Sequence, residues 1–317
     1  MTYQPTAISD DRNSLPKLPA WVTSGRAETP ETVTFRSGAA LTVLDQLLTD
    51  PRHGVPVKLL TNHLALKAAT ATSKLEGRLS LEADIRDAYR LTQPGEARGP
   101  DGDLLAFWRA AARIRTDGAG EIAHLMGPDL ADEAGIWLKE AQDRTRTYGP
   151  LAGCIAVLRA VLDVDDRAER IACLLSDVVL ARALNWKVVL PVTAQRLNKR
   201  MLRDLAATGQ GAELAVQVRI LAATEETIRM ARDLARRAEA LRTVKPKLRA
   251  KGSDSAVELF LTEDAVGPAS MLSPRIRGTN IPMTDRAARR FCDRLVELDV
   301  ARELTGRPTF RLYGIAP

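Results

Sequence analysis

The fold of the C-terminal part is decided by one stretch, Thr284-Asp-Arg-Ala-Ala-Arg-Arg-Phe-Cys-Asp-Arg-Leu-Val-Glu-Leu298. Thr284 is a good helix N-cap, because its hydroxyl can accept a hydrogen bond from an amide of the first turn. The apolar residues recur at helical spacing and predict one buried stripe, formed by Ala287, Phe291, Leu295 and Leu298. The basic residues fall on the side facing away from this stripe: Arg286, Arg289, Arg290 and Arg294.

The residues around this helix fit a small winged unit. Upstream, a capped helix is expected at the start of the unit and a second short helix near 270–276. Downstream, residues 300–305 and 309–313 alternate as strands do, and 306–308 fits a hairpin turn. Helix, helix, exposed basic helix and hairpin is the order of a winged helix-turn-helix, which we predict over 253–317.

Such a unit can place its third helix in the major groove of DNA, where guanidinium groups reach guanine edges or phosphates. The wing then holds the sugar-phosphate backbone. We therefore predict that double-stranded DNA is the partner of this unit and that the protein is a transcriptional regulator or a DNA-associated accessory factor. The predicted contact residues are Thr284, Arg286, Arg289, Arg290, Arg294, Arg302, Arg307, Arg311, Lys247 and Lys251.

A second interpretation of the same helix stays open. Asp293 and Glu297 lie on the exposed face with the arginines, so these side chains also fit the ion pairs of an ordinary solvated helix. Winged helices also dock other proteins. The rival of DNA binding is therefore a protein-interaction adaptor.

The rest of the 317-residue chain has the composition of packed helices, with few aromatic residues and abundant Ala, Leu and Arg. The net charge is +6, and residues 245–317 hold 13 Lys and Arg against 9 Asp and Glu. Regular structure is expected from near Phe35, and the stretch 171–184, apolar on nearly all sides, predicts the central helix. Further helical patterns occur at about 57–76, 80–91, 103–115, 129–143, 150–162, 167–184, 192–207 and 211–243.

These patterns predict a mainly α protein, in which a helical bundle is followed by the winged helix-turn-helix. The expected divisions are a flexible segment over 1–30, a helical domain over 31–243, a basic linker over 244–252 and the winged-helix domain over 253–317. A homodimer formed through the helical domain is a further expectation. The chain has no signal-peptide pattern and no apolar run long enough to span a membrane, so we predict a cytoplasmic protein without a membrane partner.

No pattern of a catalytic, metal or cofactor site is found, and we predict a protein that is not an enzyme and has no cofactor. The cysteines and histidines are scattered without metal-ligand spacing: Cys154, Cys173, Cys292, His53, His63 and His124. The cysteines and the tryptophans Trp108, Trp137 and Trp186 are expected in the core. Residues 118–123 match G-x-G-x-x-A, but a helical pattern precedes them, so we expect only a loop and a helix start.

Two segments of the C-terminal unit resemble the end of an uncharacterised domain-of-unknown-function family of bacterial proteins. They are Asp285-Arg-Ala-Ala-Arg-Arg-Phe-Cys-Asp-Arg-Leu-Val-Glu-Leu298 and Ala301-Arg-Glu-Leu-Thr-Gly-Arg-Pro-Thr-Phe-Arg-Leu-Tyr-Gly314. The similarity extends to Lys245-Pro-Lys-Leu-Arg-Ala-Lys-Gly252 and Leu64-Ala-Leu-Lys-Ala-Ala69 and so covers most of the chain. This resemblance implies no particular activity.

A more distant resemblance is to Fic-domain proteins with a C-terminal winged helix. Thr72-Ser-Lys-Leu-Glu76-Gly77 is similar to their inhibitory motif, [Ser/Thr]-x-x-x-Glu-[Gly/Asn], and Arg170-Ile-Ala-Cys-Leu-Leu175 resembles the helix after their active-site loop. The signature His-Pro-Phe-x-Asp-Gly-Asn-Gly-Arg is absent, because residues 163–170 contain neither His nor Gly. The loop therefore lacks a general base and a phosphate cradle. The resemblance implies a catalytically silent relative in which Glu76 has lost its inhibitory partner, and an active Fic-type nucleotidyl transferase is the least favoured function. The alternative for Glu76, without this kinship, is a helix-terminal charge beside a Gly C-cap.

Overall fold

Helices form most of the computed structural model, which describes residues 15–23, 28–93, 95–207, 210–248, 251–307 and 309–315. This agrees with the predicted mainly α class. The helices are α1 (Ala20–Thr23), α2 (Pro30–Thr49), α3 (Val57–Leu75), α4 (Glu82–Leu91), α5 (Gly99–Ala111), α6 (Ala119–Met126), α7 (Pro128–Ala131), α8 (Ala134–Tyr148), α9 (Pro150–Val164), α10 (Glu169–Ala183), α11 (Lys199–Ala207), α12 (Gln210–Val244), α13 (Ser253–Phe260) and α14 (Asp285–Glu297). Short 3₁₀ turns occupy Pro51–His53, Thr193–Arg196 and Lys245–Lys247.

Helix α10 lies at the centre of the bundle, as its uniformly apolar sequence predicts. Every residue from Ala172 to Ala181 is buried, because α9 and the Thr193–Arg196 turn both pack against α10. The long helix α12 packs along α2 and turns several arginines to solvent, among them Arg219 and Arg229. One continuous apolar core runs from Leu15 to Ile315 and so includes side chains of the C-terminal unit.

Some helix bounds differ from the sequence prediction because local backbone geometry ends the helices. The predicted helix 129–143 is instead α7 and α8, and Gly127 and Gly149, with φ of +83° and +90°, precede and follow this pair. The predicted helix 192–207 is divided into a 3₁₀ turn and α11 by extended backbone at Leu197.

The described part of the N-terminal segment is docked, although the sequence predicted a flexible lead-in. Leu15 and Val22 are buried, and Val22 belongs to the single helical turn α1. Trp21 is half-exposed and lies over Phe35, with 6.0 Å between the ring centroids. The rest of the prediction for 1–30, over residues 1–14 and 24–27, lies outside the described residues.

The C-terminal unit has short elements arranged around α14. After α13, Val266 pairs with Tyr313 of β2 (Tyr313–Gly314), and β2 also pairs antiparallel with β1 (Arg302–Glu303). The strand β2 therefore lies between Val266 and β1. The expected second helix is a π-helical turn, Pro268–Leu272, and the hairpin strands are shorter than the alternation over 300–305 and 309–313 predicts.

A buried carboxyl group orders the turn that follows α10. Asp177 Oδ1 accepts hydrogen bonds from Thr193 Oγ1 (2.6 Å), Thr193 N (2.8 Å) and Val192 N (3.1 Å). Its Oδ2 atom is buried without a hydrogen-bond partner in the described structure. Burial raises the pKa of Asp177 to about 7, although the three hydrogen bonds act in the opposite direction.

This raised pKa predicts a pH-dependent stability that depends on one side chain. Because the folded protein holds the Asp177 proton more tightly than the unfolded chain, stability falls as the pH rises from the ordinary aspartate range to about 7. Asp177→Asn keeps an acceptor oxygen and removes the ionisation. Its free energy of unfolding relative to wild type is therefore expected to rise over the same pH window.

Chemical denaturation at a series of pH values measures this effect. Asp166→Asn, on an exposed aspartate, is the matched control and should keep the wild-type profile. Identical pH profiles for Asp177→Asn and wild type would mean that Asp177 does not titrate in this range.

Candidate nucleic-acid interface

Helix α14 begins at its predicted N-cap, but its buried stripe differs in part from the prediction, because Ala287 and Leu298 are only half-buried. The Thr284 hydroxyl caps the helix by accepting a hydrogen bond from Ala287 N at 3.3 Å. Ala288, Phe291 and Leu295 are buried, and the Phe291 ring lies 6.2 Å from that of Phe260. This stripe holds α14 against the unit, so the opposite face of the helix remains in solvent.

A groove of about 910 Å³ runs between α14 and the Lys245–Lys247 turn. Its floor is apolar, formed by Leu248, Ala287 and Phe291. Within the described residues, the polar side chains that line the groove carry positive charge or a hydroxyl and include no carboxylate: Lys247, Thr284, Arg286, Arg290 and Arg294. The structure therefore brings five of the ten predicted contact residues together along one groove, which we call the α14 groove.

The cations of the α14 groove differ in their local partners. Within the described residues, Arg286, Arg290 and Lys247 are exposed and have no acidic partner. Arg294 pairs with Glu297 at 2.9 Å across one helical turn. Exposed cations without a partner carry their full charge into the groove, and this gives it an anion-binding character.

The remaining predicted residues lie outside the groove. Arg289 pairs with Asp285 at 2.8 Å and not with Asp293, which the second interpretation of the helix named. Arg302 on β1, Arg311 after the hairpin loop and Lys251 before α13 are exposed. None of these four side chains lines the α14 groove.

Arg307 is not a free wing-tip cation. Its Nη2 atom lies 3.1 Å from Asp87 Oδ2 on α4, and the neighbouring Arg86 donates a hydrogen bond to the Leu304 carbonyl at 2.9 Å. The hairpin loop is therefore held against the helical body. Sequence alone could not indicate this contact, because Asp87 and Arg307 are far apart in the chain. Arg307 does not line the α14 groove.

A buried ionic cluster fixes the C-terminal unit on the body. Arg90 of α4 and Arg109 of α5 both reach Glu263 Oε2 at 2.6 Å, and both also pair with Asp264, Arg109 at 3.1 Å. The side chains of Arg90, Arg109 and Asp264 are almost fully buried. Burial alone would raise the pKa of Asp264, but the two guanidinium groups outweigh it and hold the pKa well below its usual range.

Two polar contacts from α3 strengthen the same junction. Asn62 donates a hydrogen bond from Nδ2 to the Thr262 carbonyl at 2.7 Å. The buried His63 places Nε2 3.1 Å from the Ile315 carbonyl, and burial lowers its pKa, so the neutral ring fits this site. Both ends of the C-terminal unit are thus tied to the bundle.

Glu76 forms two ion pairs just after α3. Glu76 Oε1 lies 3.0 Å from Arg170 Nε, and Oε2 lies 2.8 Å from Arg78 Nη2. The carboxylate thus has two guanidinium partners. The predicted Gly C-cap beside Glu76 is confirmed, because Gly77 ends α3 with φ of +81°. The contact joins α3 to α10.

The other residues that the sequence analysis considered have local roles. The three cysteines are buried, and burial raises the pKa of Cys154 to about 12, so this thiol is not ionised at neutral pH. Trp108, Trp137 and Trp186 are core residues as predicted. Residues 118–123 form the start of α6. No helix within the described ranges is both long and apolar enough to cross a bilayer.

The fold and the α14 groove together define a mainly helical protein whose C-terminal helix borders a cationic groove. The chain belongs to the DUF1403 family, described as proteins of unknown function, and the family model matches residues 6–315. This confirms the membership that the C-terminal segments indicated. A comparison with curated proteins found no match.

Proposed function

We propose that this protein binds double-stranded DNA through a C-terminal winged helix in which α14 is the recognition helix. The order α13, Val266, π-helical turn, α14, β1 and β2 supports this proposal, as does the position of β2 between Val266 and β1. In such a unit the helix before the hairpin enters the major groove with its N-terminal residues toward the bases. Arg286 and Arg290 occupy that part of α14.

The single observation that carries the proposal is the charge of the α14 groove. Four cations and a threonine line it without a carboxylate, and three of these cations have no acidic partner within the described residues. The N-terminus of α14 opens onto the same groove and adds amide groups that favour phosphate. DNA supplies phosphates at regular spacing, which matches a row of arginines along one side of a helix.

The helical body then serves as a fixed platform for the DNA-binding unit. The buried contacts of Arg90, Arg109, Asn62 and His63 leave the unit little freedom to turn. A rigidly mounted recognition helix loses less entropy on binding than one on a flexible tether. Regulation of transcription or another DNA-associated role follows from this arrangement as part of the proposal.

A salt series with the full chain and a labelled pool of random-sequence duplexes tests the proposal. Four phosphate contacts predict a slope of about −3 to −4 in a plot of log K against log salt concentration. Lys247→Ala is expected to make the slope shallower by about one, because one phosphate contact is lost. Lys139→Ala is the matched control, since Lys139 is exposed on α8 and is not among the predicted contact residues.

The other outcomes separate the rival functions. Weak binding with no salt dependence would contradict DNA binding and favour a protein adaptor, whose partner would use the same apolar floor and basic rim. ATP-dependent labelling of a target protein would favour a transferase, although the described residues around Glu76 and Arg170 offer no histidine as a general base.

A further inference from the structure

Phe310 is an aromatic side chain that the fold itself does not use. It lies in the hairpin loop between Leu304 and Leu312 and is 73% exposed, more than any other aromatic residue in the described ranges. It has no aromatic or cationic ring contact there, whereas the exposed Trp21 and Phe35 contact each other. A large apolar side chain in water without a partner is a candidate contact residue.

The backbone at Phe310 adds a second observation. Its φ is +55°, in the left-handed region that bulky residues seldom adopt. Such a conformation costs free energy and persists where the surrounding structure imposes it. The ion pair between Arg307 and Asp87 and the hydrogen bond from Leu304 N to Leu312 O, at 2.8 Å, both hold the loop. These contacts therefore fix the ends of the loop that carries the Phe310 ring.

We propose that Phe310 inserts between base pairs of the DNA bound by α14 and unstacks one step from the minor groove. This inference rests on the proposed function. An α-helix with its side chains is about as wide as the major groove, roughly 12 Å, so a loop beside it meets the backbone or the next minor groove. Insertion of an apolar wedge there is a known way of kinking a duplex.

The position of the loop beside α14 supports this partner. Tyr313, just after the loop, donates a hydrogen bond to Asp293 of α14 at 3.2 Å, and Arg311 interacts with the Tyr313 hydroxyl. The loop therefore flanks the exposed face of α14. Arg311 is exposed and follows Phe310 directly in the chain, so it supplies charge for a phosphate beside an inserted ring. An exposed apolar ring beside a cation suits a DNA duplex.

Permanganate reactivity of thymines tests the insertion, because unstacked thymines are oxidised and stacked ones are protected. The full chain is mixed with AT-rich duplexes of about three helical turns. We expect new reactive thymines with wild type and none with Phe310→Ala. The variant should also bind about tenfold more weakly with an unchanged salt slope, because the lost contact is stacking and not charge.

Controls separate this inference from the proposed function. Phe310→Trp should keep the reactive thymines, and Ile136→Ala, at an exposed apolar position on α8, should behave as wild type. If wild type binds with a steep salt slope but Phe310→Ala gives the same affinity and the same reactivity, the insertion is wrong and DNA binding stands. Absence of salt-dependent binding by wild type overturns both.

Discussion

Replacement of Asp264 by alanine is expected to lower the free energy of unfolding by about 3–5 kcal/mol. The carboxylate is the shared partner of Arg90 and Arg109, whose side chains are almost fully buried. Without it, two guanidinium groups lie beside the single carboxylate of Glu263 in a place that water does not reach freely. An uncompensated buried charge costs far more than the loss of a surface ion pair.

Urea denaturation at neutral pH measures this loss. Glu258→Ala is the matched control, since Glu258 is exposed on α13 in the same unit, and it should change stability by less than about 0.5 kcal/mol. Partial proteolysis adds a local readout, because Asp264→Ala should open the C-terminal unit first. Equal stability of Asp264→Ala and Glu258→Ala would show that the ionic cluster does not hold the junction.

The cluster also limits how the C-terminal unit can act. Glu263 and Asp264 join the C-terminal unit to α4 and α5, because these acids pair with Arg90 and Arg109 of those helices. The Tyr89 ring lies within 5.1 Å of the Arg109 guanidinium and adds a further contact. A ligand or partner of the helical body would therefore meet a unit of fixed orientation.

Local sequence signals were sufficient for most of the helices and for the start of α14. Thr284 is an N-cap and Phe291 and Leu295 are buried, because capping and helical spacing depend on residues within one or two turns. The uniformly apolar stretch around α10 predicted its central position for a similar reason. Such signals need no knowledge of distant parts of the chain.

Contacts between distant segments were not predictable from one sequence. Nothing near Arg90 or Arg109 indicates that their partners are Glu263 and Asp264, which follow α13 in the chain. The only local signal is a pair of adjacent acids after a short apolar helix. Arg307 was assigned to DNA for the same reason, since its ion pair with Asp87 exists only in the folded protein.

Part of the α14 groove could be predicted from the sequence. The spacing of Arg286, Arg290 and Arg294 places them along one side of a helix, and this could be read directly. The sequence did not decide which of Arg289, Arg290 and Arg294 form ion pairs, because each has an acid at i±3 or i±4 and only Arg289 and Arg294 pair in the folded protein. Arg286 has no acid at this spacing, so its lack of a local partner could be predicted. The sequence did not indicate that Lys247 lines the groove, because this depends on where the Lys245–Lys247 turn lies in the fold.

Reversal of charge at Arg286 and Arg290 is the variant with the largest expected effect on DNA binding. The double change to glutamate places two carboxylates in the α14 groove, where they repel phosphate and weaken the field of Lys247 and Arg294. We expect the affinity for a random-sequence duplex pool to fall by more than about 100-fold at moderate salt.

The matched control is Arg219→Glu with Arg229→Glu, because both arginines are exposed on α12 and the net charge of the protein changes by the same amount. If the control loses as much affinity as the groove variant, binding follows the overall charge and α14 is not the recognition helix. Thermal unfolding of both variants checks that they are folded, and we expect little change because all four side chains lie at the surface. A loss confined to the groove variant therefore locates the DNA contact on α14, since overall charge and folding are the same in the control.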